Sequence, residues 1–320
     1  MQGGSNTPVR GLGFAFLAFA LFATHDAIIK ALGQSYSVFQ ILFFAMLFAF
    51  IPMTVLVLAD RSTGNFRPHH PWLILARSAT TLVSMSCAFY AFATLPLAQV
   101  YALLFATPLL ITVLSVPLLG ETVRAQRWAA VVVGLIGVII VLRPGASALT
   151  GGHFAALGSA LSSSFAAIII RKIGAEERSA VIILYPMLAT IIAMGALLPW
   201  VYTPVELPAL GMMAAVGALS VTAQLGTITA YRFAPAAVIA PMQYSQILWA
   251  TGFGIVFFAE QPDSMVALGA SIVIASGIFI VWRESRANVS ERSPVLKTPN
   301  PRFDAGPSPR PKFWRRKSKA

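Results

Sequence analysis

The chain has 320 residues, of which 57% are apolar and only 11% charged, and its formal net charge is +12. Soluble domains carry about a quarter of their residues as charges, so this balance excludes a water-soluble globular protein. Apolar runs of about 20 residues recur from one end nearly to the other, each long enough to cross about 30 Å of hydrocarbon. The predicted fold class is an all-α polytopic membrane protein.

Ten transmembrane helices are expected, over residues 11–31, 37–59, 71–94, 97–119, 127–143, 152–171, 179–201, 208–231, 236–258 and 263–282. Residues 2–22 share the short polar start and small residues of a secretory signal, but the run continues past a signal-length core and further spans follow, so it reads as the first span.

That first span ends in "ATHDAIIK", which places His25, Asp26 and Lys30 where apolar residues are expected. If the helix enters the membrane at Gly11, a rise of 1.5 Å per residue puts His25 and Asp26 about two thirds of the way across, and Lys30 near the far surface, where it can snorkel. Ionisable residues at membrane depth are costly and are functional candidates by default. Asp26 precedes Lys30 by four residues on one helical face, the favourable order for an ion pair. Asp26 therefore reads either as a cavity group for a cationic moiety or coupling proton, or as an acid neutralised by Lys30. His25 suits a proton-linked step or a hydrogen-bonded packing role.

Arg77 stands about two turns into the third span. It either reaches the interface or projects inward, where a guanidinium could hold a carboxylate or phosphate bidentately. Cys87, the only cysteine, lies in the same span and allows no internal disulfide; it reads as a small buried residue. The fourth span offers Tyr101, the eighth Gln224, and the ninth Tyr244, Gln246 and Trp249. With His25, Asp26 and Arg77 these are the candidates for substrate binding or coupling, because a solute site needs a few convergent polar groups in a mostly apolar pocket. Glu121 and Glu260, at matched ends of the fourth and ninth spans, are expected to be structural, as are Lys30 and Arg171.

Residues 283–320 hold eleven of the 23 Lys and Arg against three acids, and six prolines. They read as a disordered basic tail, whose end "KFWRRKSKA" suits contact with anionic lipid or simple solvation. No nucleic-acid partner follows, because the positive-inside rule accounts for the charge. With both termini cytoplasmic, the inner side collects nine loop Lys and Arg before the tail is counted, and the outer side two. This predicts a multi-pass protein of the bacterial inner membrane with both ends inside.

The two halves also repeat. Residues 95–144 can be laid on 234–284, so that Pro96 meets Pro235, Ala98 meets Ala237 and Glu121 meets Glu260; after a one-residue insertion Gly137 meets Gly277 and Arg143 meets Arg283. A duplicated unit of five helices must enter the membrane from opposite sides in its two copies, which makes an inverted repeat, an arrangement typical of secondary transporters.

"LLGE" (118–121), "FFAE" (257–260), "VLRP" (141–144), "VWRE" (281–284), Lys30, "RK" (171–172), Arg77 and "LPLA" (95–98) together resemble the ten-helix, EamA-type members of the drug/metabolite transporter superfamily. The resemblance implies a cytoplasmic N-terminus (1–10), a first EamA repeat (11–143), a second (152–282) and the tail. It also implies a central cavity lined by the first, third, fourth, sixth, eighth and ninth spans, with the fifth and tenth packed at the periphery through small residues. Family members often carry a different pair where this chain has "THDA", so His25 and Asp26 must be read from physics. The run "ATPLLITVLSVPLLGE" is similar to the branch containing S-adenosylmethionine and riboflavin uptake carriers.

The function expected is secondary transport of a small organic metabolite by alternating access, proton-coupled or by exchange. Within it, uptake of S-adenosylmethionine or riboflavin stands against export of amino acids or drugs. An integral-membrane enzyme acting on lipid is the distant alternative. Its chemistry would need a catalytic or metal-ligating set, and the four histidines, at 25, 69, 70 and 153, form none by spacing. No cofactor is expected, and no GxxxxGK[ST] loop indicates ATP drive.

Overall fold

A computed structural model describes residues 7–59, 66–145, 148–174, 176–261 and 263–286. The first six residues and the tail beyond 286 lie outside the described residues, and so do the expectations about them. The chain forms α1 (Thr7–Leu32), α2 (Val38–Ala59), α3 (Pro71–Thr94), α4 (Leu97–Leu104), α5 (Thr107–Leu119), α6 (Ala125–Leu142), α7 (Gly151–Ile173), α8 (Ser179–Val201), α9 (Leu207–Phe233), α10 (Ala236–Ile239), a 3-10 segment (Ala240–Ser245), α11 (Gln246–Phe258) and α12 (Ser264–Arg286).

Among the described residues nine stretches are long and apolar enough to cross a membrane, the fourth being α4 and α5 together. The ninth expected span, residues 236–258, is divided into α10, the 3-10 segment and α11. The sequence reading missed both interruptions. In the fourth span, Pro108 has no N–H for the carbonyl of Leu104; the Thr107 hydroxyl donates to that carbonyl instead, at 2.7 Å. In the ninth, Pro241 sits at the start of the 3-10 turn.

The packing repeats with the sequence. Helix α1 lies along α9 as α7 lies along α3, α2 meets α9 as α8 meets α3, and α11 meets α1 as α5 meets α7. Of the remaining major contacts, α2 with α8 and α6 with α12 join each element to its own counterpart, and α4 with α11 joins the two divided spans. This is what an approximate two-fold axis between five-helix halves produces. The register is the same in detail. Aligning Lys30 with Arg171 and Glu260 with Glu121 also aligns Gly11 with Gly152 and Ala234 with Leu95. A Cβ on Gly11 would meet Ala234 at 2.9 Å, and one on Gly152 would meet Leu95 at 2.7 Å. Helices α6 and α12 approach so closely that a Cβ on Gly137 would lie 2.8 Å from the carbonyl oxygen of Gly269, the backbone proximity that small residues allow in membranes.

Candidate functional site

One half of the bundle holds a cavity with a mostly apolar wall, and the other is packed at the equivalent positions, with a smaller-walled pocket at its end beside Gln99, Thr251 and Glu260. The open half contains a cavity lined by α2, α3, α7, α8 and α9. This differs from the lining that the resemblance implies: α2 and α8 contribute, whereas α1, α4, α5 and the 236–258 segment do not. The cause is the state of the bundle, since the walls that α1 and α4 could offer are packed shut. Ile182, Ile183 and Pro186 line the cavity, while their repeat counterparts, Ile41, Leu42 and Ala45, belong to the apolar core. Met53 lines it; its counterpart Met194 belongs to the core with Phe89, Phe92, Met213 and Val216.

Methionines 46, 53, 85 and 187 supply much of the apolar wall, a soft and adaptable surface. Among the described residues lining the cavity, Arg77 is the single charged side chain and none is a carboxylate. Its guanidinium donates to the carbonyl of Ile182, tying α3 to the start of α8. Ser84 on α3 meets Ser163 on α7 at 2.6 Å. Gln224 is 3% exposed, and neither its Oε1 nor its Nε2 has a hydrogen-bond partner. A buried amide with no partner costs on the order of 1–3 kcal/mol, so its presence in a cavity wall points to a ligand that completes it.

His25, Asp26 and Tyr101 come together, but in the filled half. Nδ1 of His25 lies 3.0 Å from Oδ1 of Asp26, and the Tyr101 hydroxyl donates to Oδ2 of Asp26. All three are at most 1% exposed, and the His25 ring stands edge-on to Phe89. Asp26 is thus held from α1 and α4 rather than by Lys30.

Lys30 does not snorkel; it is buried and turned to Glu260 at 2.9 Å, donating also to the carbonyl of Leu95 at 2.6 Å. Glu260 in turn accepts from the backbone N–H of Leu97 at 3.0 Å. Snorkelling yields here because α11 ends against α1 and offers a carboxylate nearer than the interface. At the other end of the bundle Arg171 pairs with Glu121 in the equivalent place.

The ninth-span candidates sit apart from the large cavity. Tyr244 is packed edge-on to Phe105 and its hydroxyl lies against Gly277. Gln246 is buried with its Nε2 unpartnered, and Trp249 packs against Phe16 and Phe253. These residues belong to the seam of the 236–258 segment with α1, α4 and α12. Helical spacing put them inside the membrane but could not say which neighbour they would face.

Sequence reasoning missed a cluster at the mouth of the open half. Glu177 is 5% exposed and accepts from the backbone N–H of His70 at 2.6 Å, at the N-terminus of α3, where a negative charge is favoured. His70 also reaches Glu176 at 2.6 Å. Adjacent Glu-Glu and His-His pairs in separate loops gave no signal of meeting. At the opposite face Asp263 begins α12. Burial would raise its pKa, but the N–H groups of Met265 and Val266 and the charge of Arg143 outweigh this and hold its carboxyl below the usual range.

Residues 9–143 match the model of the EamA-like transporter family. These residues form an EamA-like transporter domain. The chain is 26% identical to the pseudopaline exporter of Pseudomonas aeruginosa strain UCBPP-PA14, covering 84% of this chain and 95% of the relative. It is 25% identical to the S-adenosylmethionine uptake transporter of Rickettsia bellii, covering 87% and 95%, and 28% identical to the riboflavin transporter of Rhizobium johnstonii, covering 72% and 75%. A solved crystal structure shares its fold, with a TM-score of 0.57, 18% identity, and coverage of 88% of this chain and 99% of the other. With these relatives, the chain is a membrane transporter of small metabolites and not an enzyme.

Proposed function

We propose that the chain is a secondary carrier working by alternating access, and that its substrate presents a carboxylate or polar carbonyl oxygen to Arg77 and a planar donor–acceptor edge to Gln224. The unpartnered amide of Gln224 carries this reading. A substrate whose heterocycle has adjacent donor and acceptor atoms satisfies both ends of the amide, and the methionine wall accommodates its face. S-adenosylmethionine and riboflavin both have such an edge, and relatives of this chain are named for their transport. A compound carrying only a cation does not fit, because no acid lines the cavity and Arg77 repels it.

The loop charges support a topology with both termini in the cytoplasm of a bacterial cell, and the basic tail then lies on the anionic inner leaflet. In this topology α3 and α8 begin at the cytoplasmic face, so the cavity faces inward and the filled half is the outer gate. Residues 11–143 and 152–282 are the two alternating units.

The test is counterflow in proteoliposomes against riboflavin, S-adenosylmethionine, amino acids and simple organic cations. Gln224→Ala should weaken apparent affinity for heterocyclic substrates by about tenfold, the cost of about 1.4 kcal/mol, at normal folded yield. Arg77→Gln should act on substrates with a carboxylate. Unchanged transport of every substrate in both variants would remove this site.

A further inference from the structure

The pocket at the end of the shut half lies between α4, α11 and α12, and its walls include Thr251, Ile255, Glu260, Gln261, Asp263 and Val266. In the other repeat the equivalent place is taken by a side chain of the protein itself. The offset of 139 residues that pairs Glu121 with Glu260 also pairs Thr112 with Thr251 and Arg127 with Val266. Packing keeps this offset through α6 and α12, without the one-residue insertion that the sequences alone invite. Both helices begin at paired residues, Ala125 and Ser264, and the close approach of Gly134 to Ser276 is mirrored by that of Gly137 to Val273.

The two threonines are set alike. Each hydroxyl donates back along its own helix, Thr112 to the carbonyl of Pro108 at 3.1 Å and Thr251 to the carbonyl of Ile247 at 2.7 Å, so each oxygen keeps lone pairs for a donor from elsewhere. For Thr112 that donor is Nη2 of Arg127, at 3.4 Å. The arginine's counterpart beside Thr251 is Val266, which has no donor to offer. The neighbouring charge changes in the same sense, since Arg124 of the first repeat is replaced by Asp263, which lines the pocket. Two fixed cations of one repeat thus become an apolar residue and an acid in the other, while the acceptor and the space remain.

We infer that this pocket binds a guanidinium or primary ammonium group, which takes the place that Arg127 fills in the other repeat. Its N–H groups donate to the Thr251 hydroxyl and to remaining lone pairs of Glu260 and Asp263. Both carboxylates already have cationic partners, Lys30 at 2.9 Å and Arg143. The pocket therefore offers directed acceptors rather than an unbalanced negative charge, and it favours a cation with N–H donors over one without them. Gln99 is engaged by His153 at 2.9 Å and takes no part. In the topology proposed above the pocket lies at the outer face, where such a group is presented by a free amine solute or by the headgroup of an aminophospholipid. The site is separate from the cavity of Arg77 and Gln224, and its test does not depend on transport.

The experiment follows the melting temperature of the full chain, purified in dodecyl maltoside, with methylguanidinium chloride or, at equal ionic strength, tetramethylammonium chloride, a cation with no N–H. Methylguanidinium should raise the melting temperature relative to tetramethylammonium, by about 2–4 °C at roughly ten times its Kd. Thr251→Val should remove the rise. Val266→Arg, which copies the other repeat, should raise the melting temperature by itself and leave methylguanidinium without effect; if that variant does not fold, Thr251→Val decides. Nanodiscs then separate the two sources. A higher melting temperature in ethanolamine phospholipid than in choline phospholipid, with the difference lost in Thr251→Val, assigns the headgroup. No such difference, or one that Thr251→Val leaves in place, assigns a free solute. A rise with methylguanidinium no larger than with tetramethylammonium, or one that persists in a folded variant, overturns the site.

Discussion

Two buried polar clusters, both near one end of the bundle, teach different lessons. Lys30–Glu260 joins α1 to the end of α11 and also satisfies the carbonyl of Leu95 and the N–H of Leu97. It closes the turn between α3 and α4, and its counterpart Arg171–Glu121 joins α7 to the end of α5. His25–Asp26–Tyr101 has alanines as its counterpart. The duplicated cluster joins equivalent elements in both halves, whereas the unduplicated one is a place where the two halves differ.

The largest effect expected from this comparison is on the duplicated pairs. Lys30→Ala leaves Glu260 buried without its cation, which should cost about 3–5 kcal/mol and most of the folded yield, read by size-exclusion chromatography in detergent. Lys30→Met with Glu260→Gln should recover part of the loss, since no uncompensated charge remains. Arg171→Ala should cost less, because the Glu121 side chain is 20% exposed and water can reach it. If Lys30→Ala left the yield unchanged, duplication would not identify structural residues.

The turn before each glutamate sharpens the point at smaller scale. Gly120 has φ +68° and its counterpart Ala259 has φ +52°, a left-handed conformation that a Cβ disfavours. Ala259→Gly should therefore raise the melting temperature, by a stability gain of about 0.5–1 kcal/mol, and Gly120→Ala should lower it by a similar amount.

The smallest effect belongs to Asp263, an exposed group whose repeat position is Arg124. Because its folded pKa is lowered, its contribution to stability is present above the unfolded value of about 3.9 and is lost as pH falls through the folded one. Asp263→Asn should slightly lower the melting temperature at pH 7 and remove the acid sensitivity of thermal unfolding below about pH 4.

The apolar runs decided early that the chain would be ten helices in a membrane, because crossing hydrocarbon allows no other outcome for segments of that length. The doubled "LLGE" and "FFAE" decided that it would be two related units. Arg77 and Gln224 could be named as candidates from the cost of placing polar groups at depth. Periodicity could not show that both face one cavity, because residues 147 positions apart meet only when α3 and α9 are in place. The same limit hid the Glu177 cap on α3 and misdirected Lys30, for which Asp26 was the partner one turn away and Glu260 the one across the bundle. Tertiary structure alone decided which half would be open, since the two repeats carry nearly the same apolar positions and only their packing separates a cavity wall at Ile182 from a sealed core at Ile41.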